Sequence, residues 1–171
     1  MSQNIDKNSE LKENLRIFFN RTKKKIILIF ILILITTLII FIWNKNQIKK
    51  NLIISEKYVE AGVALSNNKK DKAAEYYEEI IISKNKFYSL LAFNKIIENN
   101  LIQEENKILR YFEILENLKY KEDKKDLIQF KKALYLLKLN KTQEAKDLLE
   151  NLIEKNSNLK NIAKEFRNFF F

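Results

Sequence analysis

Ala73-Ala74-Glu75-Tyr76-Tyr77-Glu78-Glu79-Ile80-Ile81 returns twice without gaps, as Ile108-Leu109-Arg110-Tyr111-Phe112-Glu113-Ile114-Leu115-Glu116 and as Ala145-Lys146-Asp147-Leu148-Leu149-Glu150-Asn151-Leu152-Ile153. Each copy keeps an aromatic or Leu at its fourth and fifth positions, Glu at its sixth and an aliphatic at its eighth, a spacing that lays one apolar stripe along a helix. The copies are offset by 35 and 37 residues. The same offsets carry an upstream apolar set from Tyr58, Ala61, Gly62 and Leu65 to Phe93, Ile96, Ile97 and Asn100, and on to Phe130, Ala133, Leu134 and Leu137. Two successive helices therefore obey one period, and nothing after Trp43 alternates with the period of two that a strand needs.

Polar breaks fall between these helices at Asn67-Asn68-Lys69-Lys70, at Asn99-Asn100 and at Asn140-Lys141-Thr142, where Thr142 is expected to cap the helix that follows. Residues 119–125 form the longest expected connector between repeats. Small residues at Ala61, Gly62, Ala73, Ala133 and Ala145 allow paired helices to approach closely, but the middle pair has Ile108 and Leu109 in place of alanine. Beyond the third pair, Leu159, Ile162, Ala163, Phe166, Phe169 and Phe170 form one more stripe. It reads as a closing helix that covers the last pair's apolar face, with the Phe169-Phe170-Phe171 end as part of that cap or as a tail for a partner.

Upstream, residues 26–43 read Ile-Ile-Leu-Ile-Phe-Ile-Leu-Ile-Leu-Ile-Thr-Thr-Leu-Ile-Ile-Phe-Ile-Trp and carry no charge. As a helix this run covers roughly 27 Å, enough for the hydrocarbon core of a bilayer. It is longer than the apolar part of a signal peptide and ends in Phe-Ile-Trp-Asn-Lys-Asn rather than a small-residue cleavage site, so an uncleaved anchor is expected. Trp43 suits the interface, and Lys45, Lys49 and Lys50 follow it. Lys12, Arg16, Arg21, Lys23, Lys24 and Lys25 precede the run, against Lys45, Lys49, Lys50 and Lys57 after it. That bias places the N-terminus in the cytoplasm and, in a bacterial cell, the larger region in the periplasm. Leu11, Leu15, Phe18 and Phe19 share one helical face beside basic residues, the pattern of a short helix lying on the inner leaflet or of a simple extension of the anchor. The expected organisation is a basic cytoplasmic segment over 1–25, a transmembrane helix over 26–43, a connector over 44–53 and a helical repeat domain over 54–171.

Composition narrows the chemistry. The chain has no His, no Cys, no Pro and a single Gly, so Cys/His zinc sites, thiol nucleophiles, a Ser-His-Asp triad and a glycine-rich phosphate loop all lack their parts. No enzyme activity, cofactor or metal is expected. The net charge of +10 is spread thinly: residues 119–125, its densest stretch after the apolar run, are interrupted by Glu122 and Asp123, so nucleic acid is not an expected partner.

Helix pairs recurring at about 34 residues are the signature of tetratricopeptide architecture, and residues 54–171 resemble it. With the basic start and single anchor, the order of parts from about Glu13 through Phe171 is similar to a family of tetratricopeptide-like, single-pass bacterial inner-membrane proteins, typified by the ancillary subunit of the Sec translocon. The resemblance implies an all-α solenoid of about three helix pairs with a C-terminal capping helix. It also implies a scaffold that binds proteins in a groove lined by the first helix of each pair. Carried over by position, the groove falls on Glu56, Val59, Val63 and Ser66, on Leu91, Asn94, Glu98 and Leu101, and on Ile128, Lys131, Tyr135 and Lys138. The implied partners are the Sec translocon, exported polypeptides or periplasmic chaperones. An adaptor for envelope assembly or cell division with one fixed partner, and a cytoplasm-facing receptor of inverted topology, fit the same residues.

Overall fold

A computed structural model describes residues 3–171, with side chains described at 12, 13, 16, 17, 22–25 and from 27 onward. All regular structure among them is helical: α1 Gln3–Ser66, α2 Lys70–Ile82, α3 Tyr88–Glu98, α4 Glu105–Glu116, α5 Glu122–Lys138, α6 Thr142–Glu154 and α7 Lys160–Phe170. The side chains of Leu11, Leu15, Phe18 and Phe19, expected to form an amphipathic face, lie outside the described residues. The chain divides into two compact units, Met1–Lys50 and Asn51–Phe171.

In the first unit, α1 is long and apolar enough to cross a membrane. Its large side chains from Ile27 to Trp43 are exposed all round. Thr36 and Thr37 each donate their hydroxyl to the carbonyl of Ile33, at 2.8 and 2.7 Å, so neither needs water. Residues 44–53, expected as a connector, are helical and belong to α1.

In the second unit the repeated positions are buried alike. The first position of the repeated segment is Ala73, Ile108 and Ala145, the fifth Tyr77, Phe112 and Leu149, the eighth Ile80, Leu115 and Leu152, and all nine are buried. Ala61, Ile96 and Ala133, equivalent on the preceding helices, are buried too. α2 packs broadly on α3, α5 on α6 and α6 on α7, while α3 and α4 meet over a short stretch only. α5 has two covered faces. Ile128 belongs to the core that runs from Ala61 to Phe112, whereas Phe130 and Ala133 belong to a second core with Leu149, Leu152 and Ala163. α7 closes that second core through Ala163 and through Phe166, whose ring meets Phe130 edge-on at 5.5 Å.

With one glycine, the chain turns corners on asparagine. Asn68, Asn100, Asn140 and Asn156 adopt left-handed backbone, with φ of 60°, 48°, 59° and 55°, just beyond the ends of α1, α3, α5 and α6. Asparagine tolerates this region better than other side chains. At each, the next N–H reaches back to a carbonyl of the last helical turn, as Lys69 does to Ala64 at 2.9 Å and Lys141 to Leu136 at 3.0 Å. α2 ends differently: Lys84 takes the left-handed position, and the carbonyl of Ile80 accepts from the buried hydroxyl of Ser89 on α3 at 2.9 Å.

Two expectations are corrected. Thr142 does not cap α6; it is already helical, and the tight turn at Asn140 leaves Lys141 in the capping position with no side-chain bond. The connector between the second and third pairs is 117–121, not 119–125, because α5 begins at Glu122, whose acidic first turn suits a helix N-terminus, and it is no longer than 83–87 between the first and second. Residues 99–104, inside the middle pair, form the longest connector, against 67–69 and 139–141 in the outer pairs.

A buried carboxylate fastens α5 to the α6–α7 turn. Asp126 accepts a hydrogen bond from Ser157 Oγ and faces the Lys155 ammonium with its other oxygen. Burial pushes its pKa up, but Lys155, Ser157 and Lys125 together outweigh burial and hold it below the ordinary value of 3.8. A carboxyl whose pKa is lower folded than unfolded stabilises the fold above the unfolded value and loses that contribution as pH falls through the folded one. Asp126→Asn should therefore cost about 1–3 kcal/mol at neutral pH. Thermal unfolding of the full chain in detergent should show the gap between wild type and variant closing as pH drops below 3.8.

Candidate functional site

The middle pair departs from its neighbours in sequence, and a cleft opens there. Ile108 fills the position that alanine holds in α2 and α6, and residues 99–104 add length between the helices. A branched side chain at a close-approach position separates helix axes. Between α3, α4 and α5 lies a cavity of about 620 Å³, within the range of small-ligand and side-chain pockets.

Its walls are apolar, formed by Phe93, Ile96, Ile97, Ile108, Phe112 and Leu134. Phe93 and Phe112 meet edge-on with centroids 4.6 Å apart, and Phe112 lies 5.9 Å from the Tyr135 ring. The edge of the cleft is polar. Lys131 Nζ donates to Asn94 Oδ1 at 2.6 Å, tying α5 to α3, and Glu98, Glu105 and Lys138 stand around the mouth. Burial, then the Glu105 carboxylate, raises the pKa of Tyr135, so its phenol stays protonated. Such a surface can hold an apolar side chain and offer hydrogen bonds and charges of both signs at its border. Among the described residues, no cluster of carboxylates is placed to hold a metal ion.

Five of the twelve groove positions, Asn94, Glu98, Lys131, Tyr135 and Lys138, meet at this cleft. The other seven do not. Val59 and Val63 on α1 are 63% and 54% exposed and line no part of it; Val59, with Glu56, borders a shallow depression beside Tyr58 and Tyr88. Ser66 is exposed, and Leu91 and Leu101 are half-buried outside the cleft. Ile128 is a correction: it is fully buried, because α5 is covered on two faces and the position that would be open on a one-sided helix faces the first core. Ile102, Gln103 and Glu105 line the cleft without having been singled out, since a helical pattern says nothing about the course of a connector. Ile108 in an alanine position was the one available signal.

Compared with known protein families, curated proteins and solved structures, the chain matches none.

Phe112 serves both the core and the cleft wall, whereas Lys138 touches only the mouth. Phe112→Ala should cost about 3–5 kcal/mol and lower the melting temperature of the full chain sharply. Lys138→Ala should change stability by no more than about 0.5 kcal/mol. A thermally silent Phe112→Ala would show that the packing described between α3 and α4 is wrong.

Proposed function

We propose that this chain is a membrane-anchored interaction protein whose Asn51–Phe171 unit is a tetratricopeptide-like stack of three helix pairs closed by α7. In this reading the cleft between α3, α4 and α5 receives an apolar side chain of a protein partner. The observation that carries the proposal is the convergence of five groove positions on one apolar-walled cleft with a polar border. Equivalent burial at positions 35 and 37 residues apart supports the repeat. Apolar anchoring with surrounding hydrogen bonds is the usual means by which such surfaces hold peptides and helices.

The run at 26–43 holds the chain in a bacterial inner membrane, and the Lys23, Lys24 and Lys25 cluster beside it keeps the N-terminus in the cytoplasm. The cleft then faces the periplasm, where an ancillary role near the Sec translocon would expose it to exported chains and their chaperones. No catalytic step is part of the proposal.

A photo-crosslinking residue at Tyr135 should capture a protein in native membranes, and the same residue at Val63 should not. Absence of any protein adduct at Tyr135 would sink the cleft reading. Because the chain has no cysteine, Ser66→Cys tests orientation directly. It should react with a membrane-impermeant thiol reagent in intact cells whose outer membrane is permeable; protection there would place the unit in the cytoplasm.

A further inference from the structure

The turn between α2 and α3 combines positive charge with exposed apolar surface. Lys84 and Lys86 are exposed, as are Ile82 and Phe87, at 57% and 60%. The turn is firmly built. Asn85 Oδ1 accepts from the N–H groups of Phe87 and Tyr88, both at 3.0 Å, and Asn85 Nδ2 donates to Asn51 Oδ1 at 2.8 Å. Asn51 is where the second unit begins. It follows Trp43 by eight residues of helix, a rise of about 12 Å, of which the headgroup layer of a bilayer occupies roughly 5–7 Å. The turn is therefore pinned to the part of the unit that the chain holds nearest the apolar run.

Charge at this end has one sign. No acidic residue lies between Glu13 and Glu56, a stretch that includes Lys45, Lys49 and Lys50. Helices joined by short turns alternate in direction, so 83–87, 117–121 and 155–159 fall at one end of the unit. Together these turns hold five lysines and no carboxylate, against two lysines and Glu104 in 67–69, 99–104 and 139–141 at the other end. Lys155 is committed to Asp126. Lys84, Lys86, Lys119 and Lys121 are exposed, and none of them pairs with a carboxylate among the described residues.

We infer that the α2–α3 turn is a lipid-contacting foot: Ile82 and Phe87 enter the boundary between headgroups and acyl chains of the bilayer that holds α1, and Lys84 and Lys86 bind its anionic phosphates. The inference rests on the reading of residues 26–43 as a membrane anchor and holds for either orientation of that anchor. An aromatic ring flanked by lysines suits this boundary, where the ring leaves water and the ammonium groups stay beside the phosphates. A bilayer is favoured over a protein partner on two counts. Its anionic phosphates match a surface of one sign, and the chain itself keeps it within reach, so a contact of low intrinsic affinity is made at high effective concentration. Asn100, Gln103, Glu105 and Lys138 at the cleft belong to the opposite end of the unit, so this seating leaves the cleft open.

Trp43 is the one tryptophan of the chain, which permits a depth measurement on the full chain in lipid vesicles. Phe87→Trp in a Trp43→Phe background places the indole on the turn, and lipids brominated on their acyl chains quench an indole that reaches them. In vesicles containing phosphatidylglycerol, quenching should be several-fold greater than in phosphatidylcholine alone. Lys84→Glu with Lys86→Glu should return it to the phosphatidylcholine level, with helicity and melting temperature retained. Val63→Trp in the same background should stay unquenched. An indole at position 87 quenched no more than one at position 63, in a chain that resists alkaline extraction from the vesicles, would overturn the inference and leave the anchor standing. Quenching that ignores both the anionic lipid and the two charge reversals would overturn it as well. Release of the chain by alkali would remove the anchor, and the inference with it.

Discussion

Close approach of paired helices at alanine is the constraint on which the Asn51–Phe171 unit depends. Ala61 and Ala73, and again Ala133 and Ala145, are fully buried, and side chains of that size let two helices come near the lower end of the usual 8–10 Å separation. The aromatic and leucine positions one turn further on then fill the space between one pair and the next. Where alanine gives way to Ile96 and Ile108, close approach fails. α3 and α4 touch briefly, the connector between them lengthens, and the cleft is the volume left between helices that cannot close. The candidate site is therefore a local exception to the rule that builds the rest of the unit.

A second constraint is the scarcity of glycine. Short links between antiparallel helices need left-handed residues, and asparagine takes that position at the ends of α1, α3, α5 and α6. This fixes where each helix stops, because the residue after the asparagine returns its N–H to the last turn. Ser89 solves the same problem after α2 from a distance, satisfying a carbonyl from the next helix and thereby fastening α3 to α2. Asp126 does comparable work further on, joining α5 to the turn before α7.

Polar and apolar demands are separated along the chain. Residues 27–43 surround themselves with exposed aliphatic side chains and satisfy their two threonines internally. From Ala61 onward most apolar groups turn inward, and the large ones left exposed are Val63, Ile82, Phe87, Ile97, Leu127, Ile162 and the three rings at the end of α7.

Much of the fold was legible in the residues themselves. An uncharged run from 26 to 43 implies a helix long and apolar enough to cross a membrane, since so continuous an apolar surface leaves no polar face for water. Likewise, spacings of three and four dictate helices, and the recurrence at 35 and 37 residues identified Tyr77, Phe112 and Leu149 as one buried position. Tertiary structure decided what periodicity cannot express. The covering of α5 on two sides took Ile128 out of the groove, the course of residues 99–104 brought Ile102 and Glu105 into the cleft, and α7 stacked Phe170 on Phe166 while leaving Phe169 exposed. The reason is physical: a sequence pattern specifies which face of a helix avoids water, but how many neighbours share that face, and where a gap remains between them, depends on side chains from several helices meeting at once.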